Sequence, residues 1–412
     1  MHPTRRSLLV PLLLLLLVPA PAAAQAQRLD RIPVQGGDLW LSGGNIAWTR
    51  FARDVGPGPT RLDLFELVFR QLHDAGGNTL RLWLHTDGSV TPEWRDGAVV
   101  GPGEGTIEDL RDILDLAQKH HVRLILCLWS FDMLRKNAGD SITDRNYALL
   151  TREDELQAYI DHALVPMVTA LKGHPAILAW EIFNEPEGMS DEFGWEITRH
   201  VPMSDIQRFI NRAAGAIKRA DPGALVTNGS WSFRATSDVT ADEDLLVPGT
   251  AADELTEAQV AAIRRKLADR YGYLFTLAET RKMYATLQEW GKNRNYYTDR
   301  ELVAAGGDPA GTLDFYTVHY YDWGYPALSP FHHDRAFWGL DKPLAVTEFY
   351  MDDTFGVPWQ QLMPTLYDRG YAGGLGWQWE DFFRRRPDTA HNWPRILKNA
   401  QSVRALHPEA VE

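Results

Sequence analysis

Eight short apolar runs, separated by longer segments of helical period, constrain this chain more than any other feature. They fall at 41–47, 79–84, 123–128, 177–183, 225–227, 315–319, 344–347 and 374–377. Short β-branched or apolar runs alternating with amphipathic segments are the pattern of βα units around a parallel sheet, and eight units are what a closed barrel requires. The expected fold is therefore α/β, a (β/α)8 barrel. Behind Thr106 and Asp109, a helix-start signal with Asp in place of the usual Glu, Leu110, Ile113, Leu114 and Ala117 recur at i, i+3, i+4 and i+7. Thr151 is expected to open a segment running to about Lys172, and Ile206, Phe209, Ile210, Ala213, Ala214 and Ile217 line one face of the next helix.

The spacing breaks once, between the fifth and sixth runs. Residues 238–309 carry a charged helical stretch over 257–290 and then the segment 293–297, far more than a βα loop of a few residues. It reads as an insertion on the face where the strands end. No repeat or low-complexity tract follows residue 24, so residues 28–412 are expected to form a single domain. Residues 1–24 have Arg5 and Arg6, an apolar run over 8–18 and Ala22 to Ala24 as a small-residue cleavage site, the layout of a signal peptide. The arginine pair also permits a twin-arginine reading. No later segment approaches the roughly 20 apolar residues of a membrane span. The chain is expected to be secreted, extracellular or periplasmic, with no membrane association after cleavage, and to act as a monomer.

A net charge of −13 argues against nucleic acid as a partner, because phosphate neutralisation is the main source of that affinity. The basic triplet Arg384 to Arg386 reads as a solvated loop. One cysteine, Cys127, leaves no disulfide within the chain and reads as a small buried hydrophobe. Fifteen tryptophans are a heavy load, many beside Gly, Pro or Asp, and aromatic faces exposed on loops suit a sugar-binding cleft.

Two carboxylates stand out. The run AILAWEIFNEP at 176–186 is a strand ending in Asn184, Glu185 and Pro186. Proline cannot continue the ladder, so Glu185 is left where the strand turns into a loop at the barrel mouth, with Asn184 able to donate to a sugar hydroxyl. The run KPLAVTEF at 342–349 places Glu348 at the end of another apolar strand. An acid there implies chemistry or a buried ion pair. Carboxylates from the fourth and seventh strands converge on one face, as glycosidases that retain anomeric configuration require.

With these residues the chain resembles glycoside hydrolase family 5 of clan A, a TIM-barrel family, and within it the endo-β-1,4-mannanases. The resemblance implies a β-linked polysaccharide or oligosaccharide substrate, no cofactor and no metal. It implies Glu185 as acid/base and Glu348 as nucleophile, with Arg81 in NTLRLW supporting Glu348, beside Asn184. It also matches His319 and Tyr321 in TVHYY to strand six, and Trp377 in GWQW to the sugar platform of strand eight. Arg81 beside Glu348 is expected to keep its pKa low, while Glu185 is expected to start protonated. Many members carry a histidine at the end of strand three, where this chain reads LCLWS at 126–130. His85 is a candidate for part of that space. An endo-β-1,4-glucanase and a silent carbohydrate-binding barrel are the alternatives.

Other residues are read more plainly. By period two Glu181 lies on the same side as Glu185 and is a rival acid, but a pleat deeper it fits a buried ion pair better. Glu187 is expected at the rim. The pairs His120–His121 and His332–His333 lack a third ligand at metal spacing. Trp83, Trp129 and Trp231, near strand ends, are expected in the cleft, while Trp323 and Trp379 fit core or subsite equally.

Overall fold

The computed structural model describes residues 28–379 and 391–410. The leader at 1–24 and the triplet Arg384 to Arg386 lie outside the described residues. Eight parallel strands close into a barrel in chain order: β1 (Leu41–Ile46), β2 (Thr79–Thr86), β3 (Arg123–Ser130), β4 (Ile177–Asn184), β5 (Val226–Ser230), β6 (Tyr316–His319), β7 (Leu344–Glu348) and β8 (Gly373–Gly376), with β8 pairing back onto β1. All eight expected runs are strands. They are buried along nearly their whole length, because helices cover the outer face and side chains fill the inner one.

The helix Leu62–Asp74 packs on Thr106–Lys119, and Met203–Ala220 buries the stripe read from sequence, Ile206 to Ile217. Two local readings differ from expectation. Thr106 is the first helical residue rather than the cap, which is Gly105, and the Asp109 carboxylate accepts the N–H of Gly56 at 2.9 Å instead of capping its own helix. Thr151 closes the helix Asp140–Thr151. The next layer is Glu153–Tyr159, a π turn over Ile160–Leu164, and Val165–Leu171. Among the described residues no helix is long and apolar enough to cross a membrane.

Between β5 and β6 lies the helical insertion. The helices Glu257–Tyr271 and Leu277–Trp290 each begin with a capping box, Thr256 with Gln259 and Thr276 with Glu279. Their apolar sides bury Val260, Ile263, Leu267, Met283 and Tyr284 with Leu245, Leu255 and Phe275 in a cluster distinct from the main core. The strand-like segment that follows is tied back by Arg294 N–H to Arg234 O (2.9 Å) and Tyr296 N–H to Ala235 O (3.0 Å).

Two register slips set which side chains face inward near the mouth. Trp83 pairs with Cys127, but Thr86 with Trp129; Glu181 pairs with Thr227, but Asn184 with Gly229. An extra residue in one strand breaks strict alternation. Phe183 therefore turns outward onto Phe209, ring centroids 4.7 Å apart, and Asn184 turns into the barrel.

Candidate active site

Arg81, fully buried at the centre of the mouth, organises the site. Its guanidinium donates to Glu181 through Nε (2.9 Å to Oε2) and Nη2 (2.5 Å to Oε1), to Glu348 Oε1 through Nη1 (2.6 Å), and to Asn184 Oδ1 (2.8 Å) and Asn45 Oδ1 (3.1 Å). Glu181 is thus the deep ion-pair partner, as its position suggested. Gly229 on β5 makes room for this pair: a Cβ there would stand 2.6 Å from Glu181 Oε1 and 3.0 Å from Arg81 Nη2. Asn45, which the sequence reading passed over, holds its amide by donating to Thr347 O at 2.8 Å and Gly376 O at 3.2 Å. Its signal was a polar residue near the end of an apolar strand, the same signal that marked Glu348.

Glu348 Oε2 accepts the Tyr321 hydroxyl at 2.7 Å. His319 Nδ1 lies 2.8 Å from Glu185 Oε1 and 3.7 Å from Glu348 Oε2, so it bridges the two acids. One oxygen of each carboxylate and a nitrogen of His319 all lie within 4.8 Å of one another. These are the described residues whose donor atoms are spaced to hold an ion, and Arg81 and Tyr321 already engage the Glu348 oxygens. Neither histidine pair joins such a group among the described residues.

Burial governs the proton affinities. It pushes Glu185 up to about 7, with Arg81 opposing, and drives His319 down to about 4, leaving it neutral at pH 7. Burial also raises Glu348 above the ordinary carboxylate value, opposed by His319 and Arg81. The expectation that Arg81 holds Glu348 low is corrected on this point: desolvation outweighs the guanidinium. Since His319 is neutral, Arg81 is the cation that remains beside Glu348. Glu185 has no such direct cation, so the pair holds its proton on Glu185 first. Tyr321 is raised by burial and by Glu348 and stays a hydroxyl donor.

Glu185 sits on the turn after β4 in the left-handed region, φ 47° and ψ 50°, uncommon for a residue with a Cβ. Its N–H donates to Gly229 O at 2.7 Å. Glu187, expected at the rim, is fully buried. The turn Pro186–Met189 folds beneath the end of β5, where Glu187 accepts Ser230 Oγ–H (2.7 Å), the Tyr297 hydroxyl (2.5 Å) and Trp231 N–H (3.3 Å), and burial pushes it up to about 7.

The tryptophans divide. Trp83 and Trp377 meet with Trp48 in an edge-on cluster at centroid distances of 4.9–6.2 Å, and Arg81 lies over Trp83 at 5.2 Å. Trp377 stays half-buried there, a face at the mouth. Trp129 is a core residue, a correction: past the β2 register slip it faces the helix layer and packs on His85 (4.8 Å) and Tyr159 (5.3 Å). His85 goes with it, bonded to Thr91 Oγ1 at 2.9 Å, and does not fill the mouth. Trp379 is buried and joins the main core. Cys127 is a buried thiol that burial pushes upward, 3.8 Å from Arg81 Nη2.

Beside Glu185 opens a cavity of about 660 Å³ walled by Phe193, Trp195, Trp231, Trp290, Trp323 and Tyr321, with Arg234, Glu192 and Glu289. Trp231 stacks on Trp323 at 4.5 Å, and Arg234 lies over Trp290 at 5.2 Å. Trp290 is the last residue of the second insertion helix, so the insertion supplies one flank. Trp195, Trp290 and Arg234 carry no sequence signal, since each becomes a wall residue only by the path of the connection that carries it.

Residues 65–332 match the family described as cellulase, glycosyl hydrolase family 5. The chain belongs to that family, and it is a glycoside hydrolase. It is 32% identical to a mannan endo-1,4-beta-mannosidase of Mytilus edulis over 90% of this chain and 89% of that protein. A second such protein, from Cryptopygus antarcticus, is also 32% identical, over 91% and 88%. The X-ray structure of the blue mussel beta-mannanase superposes with a TM-score of 0.69 at 29% identity, covering 91% of this chain and 94% of that one. An Eisenia fetida endo-1,4-beta-mannanase gives 0.69 at 31%, over 91% and 93%. Within the family the chain is thus similar to β-mannanases along nearly its whole length.

Proposed function

We propose that this family 5 hydrolase is a secreted, monomeric mannan endo-1,4-β-mannosidase, a single catalytic domain over 28–412 that cleaves with retention after loss of the leader at 1–24. The observation that carries the mechanism is the pairing of two carboxylates within 4.8 Å in unlike surroundings. That spacing suits direct attack rather than the roughly 6.5–9.5 Å that leaves room for a water. Glu348, with Arg81 and Tyr321 donating to it, attacks the anomeric carbon and forms a glycosyl ester. Glu185, whose proton survives to about pH 7, gives that proton to the departing glycosidic oxygen. It then takes one from the water that opens the ester. Asn184 and His319 position sugar and acid, and Trp377, with Trp83 and Trp48 behind it, stacks under the sugar at the cleavage point.

Mannan is favoured by the relatives' substrate. A β-1,4-glucan and a silent binding barrel are the readings to be excluded. Product-length analysis on galactomannan, glucomannan, carboxymethyl cellulose and xylan, with the Glu185→Ala/Glu348→Ala variant as blank, tests the proposal. Short mannan fragments with β configuration at the first instant are expected. Faster cleavage of carboxymethyl cellulose, α products, or release no greater than the blank would each sink it.

A further inference from the structure

Glu187, expected at the rim, is the buried acid nearest in sequence to Glu185. Its carboxylate touches two separate pieces of chain: the end of β5, through the Ser230 hydroxyl and the adjoining Trp231 N–H, and the segment that closes the insertion, through the Tyr297 hydroxyl. Its backbone carbonyl accepts the N–H and the hydroxyl of Ser190, both at 2.9 Å. All of the bonded side chains are buried. A buried carboxylate bonded both to the end of β5 and to a distant segment of the insertion acts as a fixed peg.

The peg lies two residues beyond Glu185, whose left-handed backbone persists only when its surroundings over-determine it. One side of that residue is held by its own N–H on Gly229 O, in β5. The other side, the turn Pro186–Met189, is held to the same strand end through Glu187. β5 thus clasps Glu185 from before and after, and Tyr297 makes the clasp depend on the insertion.

We infer that Glu187, with Tyr297, is a positioning residue that aims the Glu185 carboxyl at the departing oxygen, coupling the insertion to acid catalysis. This rests on the reading of Glu185 as the acid. Glu187→Gln keeps the shape but turns one acceptor oxygen into an NH2 group, which cannot accept from Trp231 N–H or from either hydroxyl. Tyr297→Phe removes a single hydroxyl at almost constant volume.

The test is kcat/KM on two aryl β-mannotriosides, one with a dinitrophenyl and one with an unsubstituted phenyl leaving group, for wild type, Glu187→Gln, Tyr297→Phe and Glu185→Ala. Departure of dinitrophenolate needs no proton, whereas phenolate does. Glu187→Gln should lower the phenyl value roughly tenfold more than the dinitrophenyl value, the scale of one misaligned hydrogen bond to a charged group. Tyr297→Phe should move the ratio the same way by less, and it carries the test if Glu187→Gln does not fold. Equal loss on both substrates, or an unchanged ratio in Tyr297→Phe, would mean that the network only stabilises the fold and would overturn the inference. Should Glu185→Ala itself show no leaving-group dependence, the acid assignment falls first and this inference with it.

Discussion

The floor of the mouth and its aromatic flank are built on opposite principles. On the floor, Arg81, Asn45, Glu181, Asn184 and Glu348 come from four strands, β1, β2, β4 and β7, none more than 3% exposed, and bond to one another in one charged network. On the flank, Trp195, Trp231, Trp290 and Trp323 come from the connections that follow β4, β5 and β6, Trp290 from the end of an insertion helix, and Trp323 remains 38% exposed. The floor holds charges at fixed angles, which needs rigid strands and satisfied partners. The flank offers faces to be desolvated by a ligand, which needs area and tolerates looseness. On the proposed mechanism chemistry and chain binding are therefore separable, and substitutions should sort by region.

The sharpest break between the regions is at the carboxylates. Glu185→Ala and Glu348→Ala should each lose more than about 10³-fold in kcat on polysaccharide, with stability little reduced. Azide should rescue the first as the β-glycosyl azide and any rescue of the second should be the α-azide, read by NMR. A β-azide from the Glu348 variant would reverse the assignment.

Next in size is the network itself. Arg81→Met strands Glu181 and Glu348 as unpaired buried charges, expected to cost about 3–5 kcal/mol and, for a chain of this length, to lower Tm on the order of 5 °C by calorimetry. Adding Glu181→Gln should return part of that loss. If the single variant melts like the wild type, the floor is not the rigid region described here.

The pH profile gives a smaller effect with a fixed sign. Because burial raises Glu185 to about 7 and the proposed mechanism uses its protonated form, kcat/KM should fall as pH rises through 7, by roughly tenfold between pH 6 and 8. Glu185→Gln should flatten that alkaline limb. A limb that survives the substitution would assign it elsewhere, Glu187 being the first candidate because it too is raised to about 7.

The smallest effect belongs to the flank. Trp290→Ala should raise KM for polysaccharide about 3- to 10-fold, the worth of one aromatic contact, and leave Tm and the rate on a short aryl glycoside nearly unchanged. A fall in kcat at constant KM would show that the flank feeds into the chemistry after all.

Part of the floor was legible because its residues sit at the end of an apolar strand, where a charged or amide side chain has few reasons to be. Glu185, Glu348 and Asn184 were visible on that basis and Asn45 carried the same mark, whereas Arg81, the third residue of β2, was reached through the family resemblance. The errors came from two causes. Trp129 was placed in the mouth for lying near a strand end and His85 as a candidate for the space of a strand-three histidine, and past the register slip between Trp83 and Thr86 both pack toward the helix layer. Glu187 was placed at the rim because it follows a proline in a polar run, yet the turn folds under β5 and buries it against Tyr297, more than a hundred residues away.

The sequence by itself determined that eight βα units surround a parallel sheet buried on both faces, and the family resemblance chose the closed barrel over an open doubly wound sheet. It also determined the order of the charged strand ends. Only the tertiary structure decided which of those side chains meet, how their protons are shared, and what walls the cleft. Facing, pKa and enclosure depend on distances between segments far apart in the chain, and a one-residue slip or a loop's path changes them without altering any local pattern.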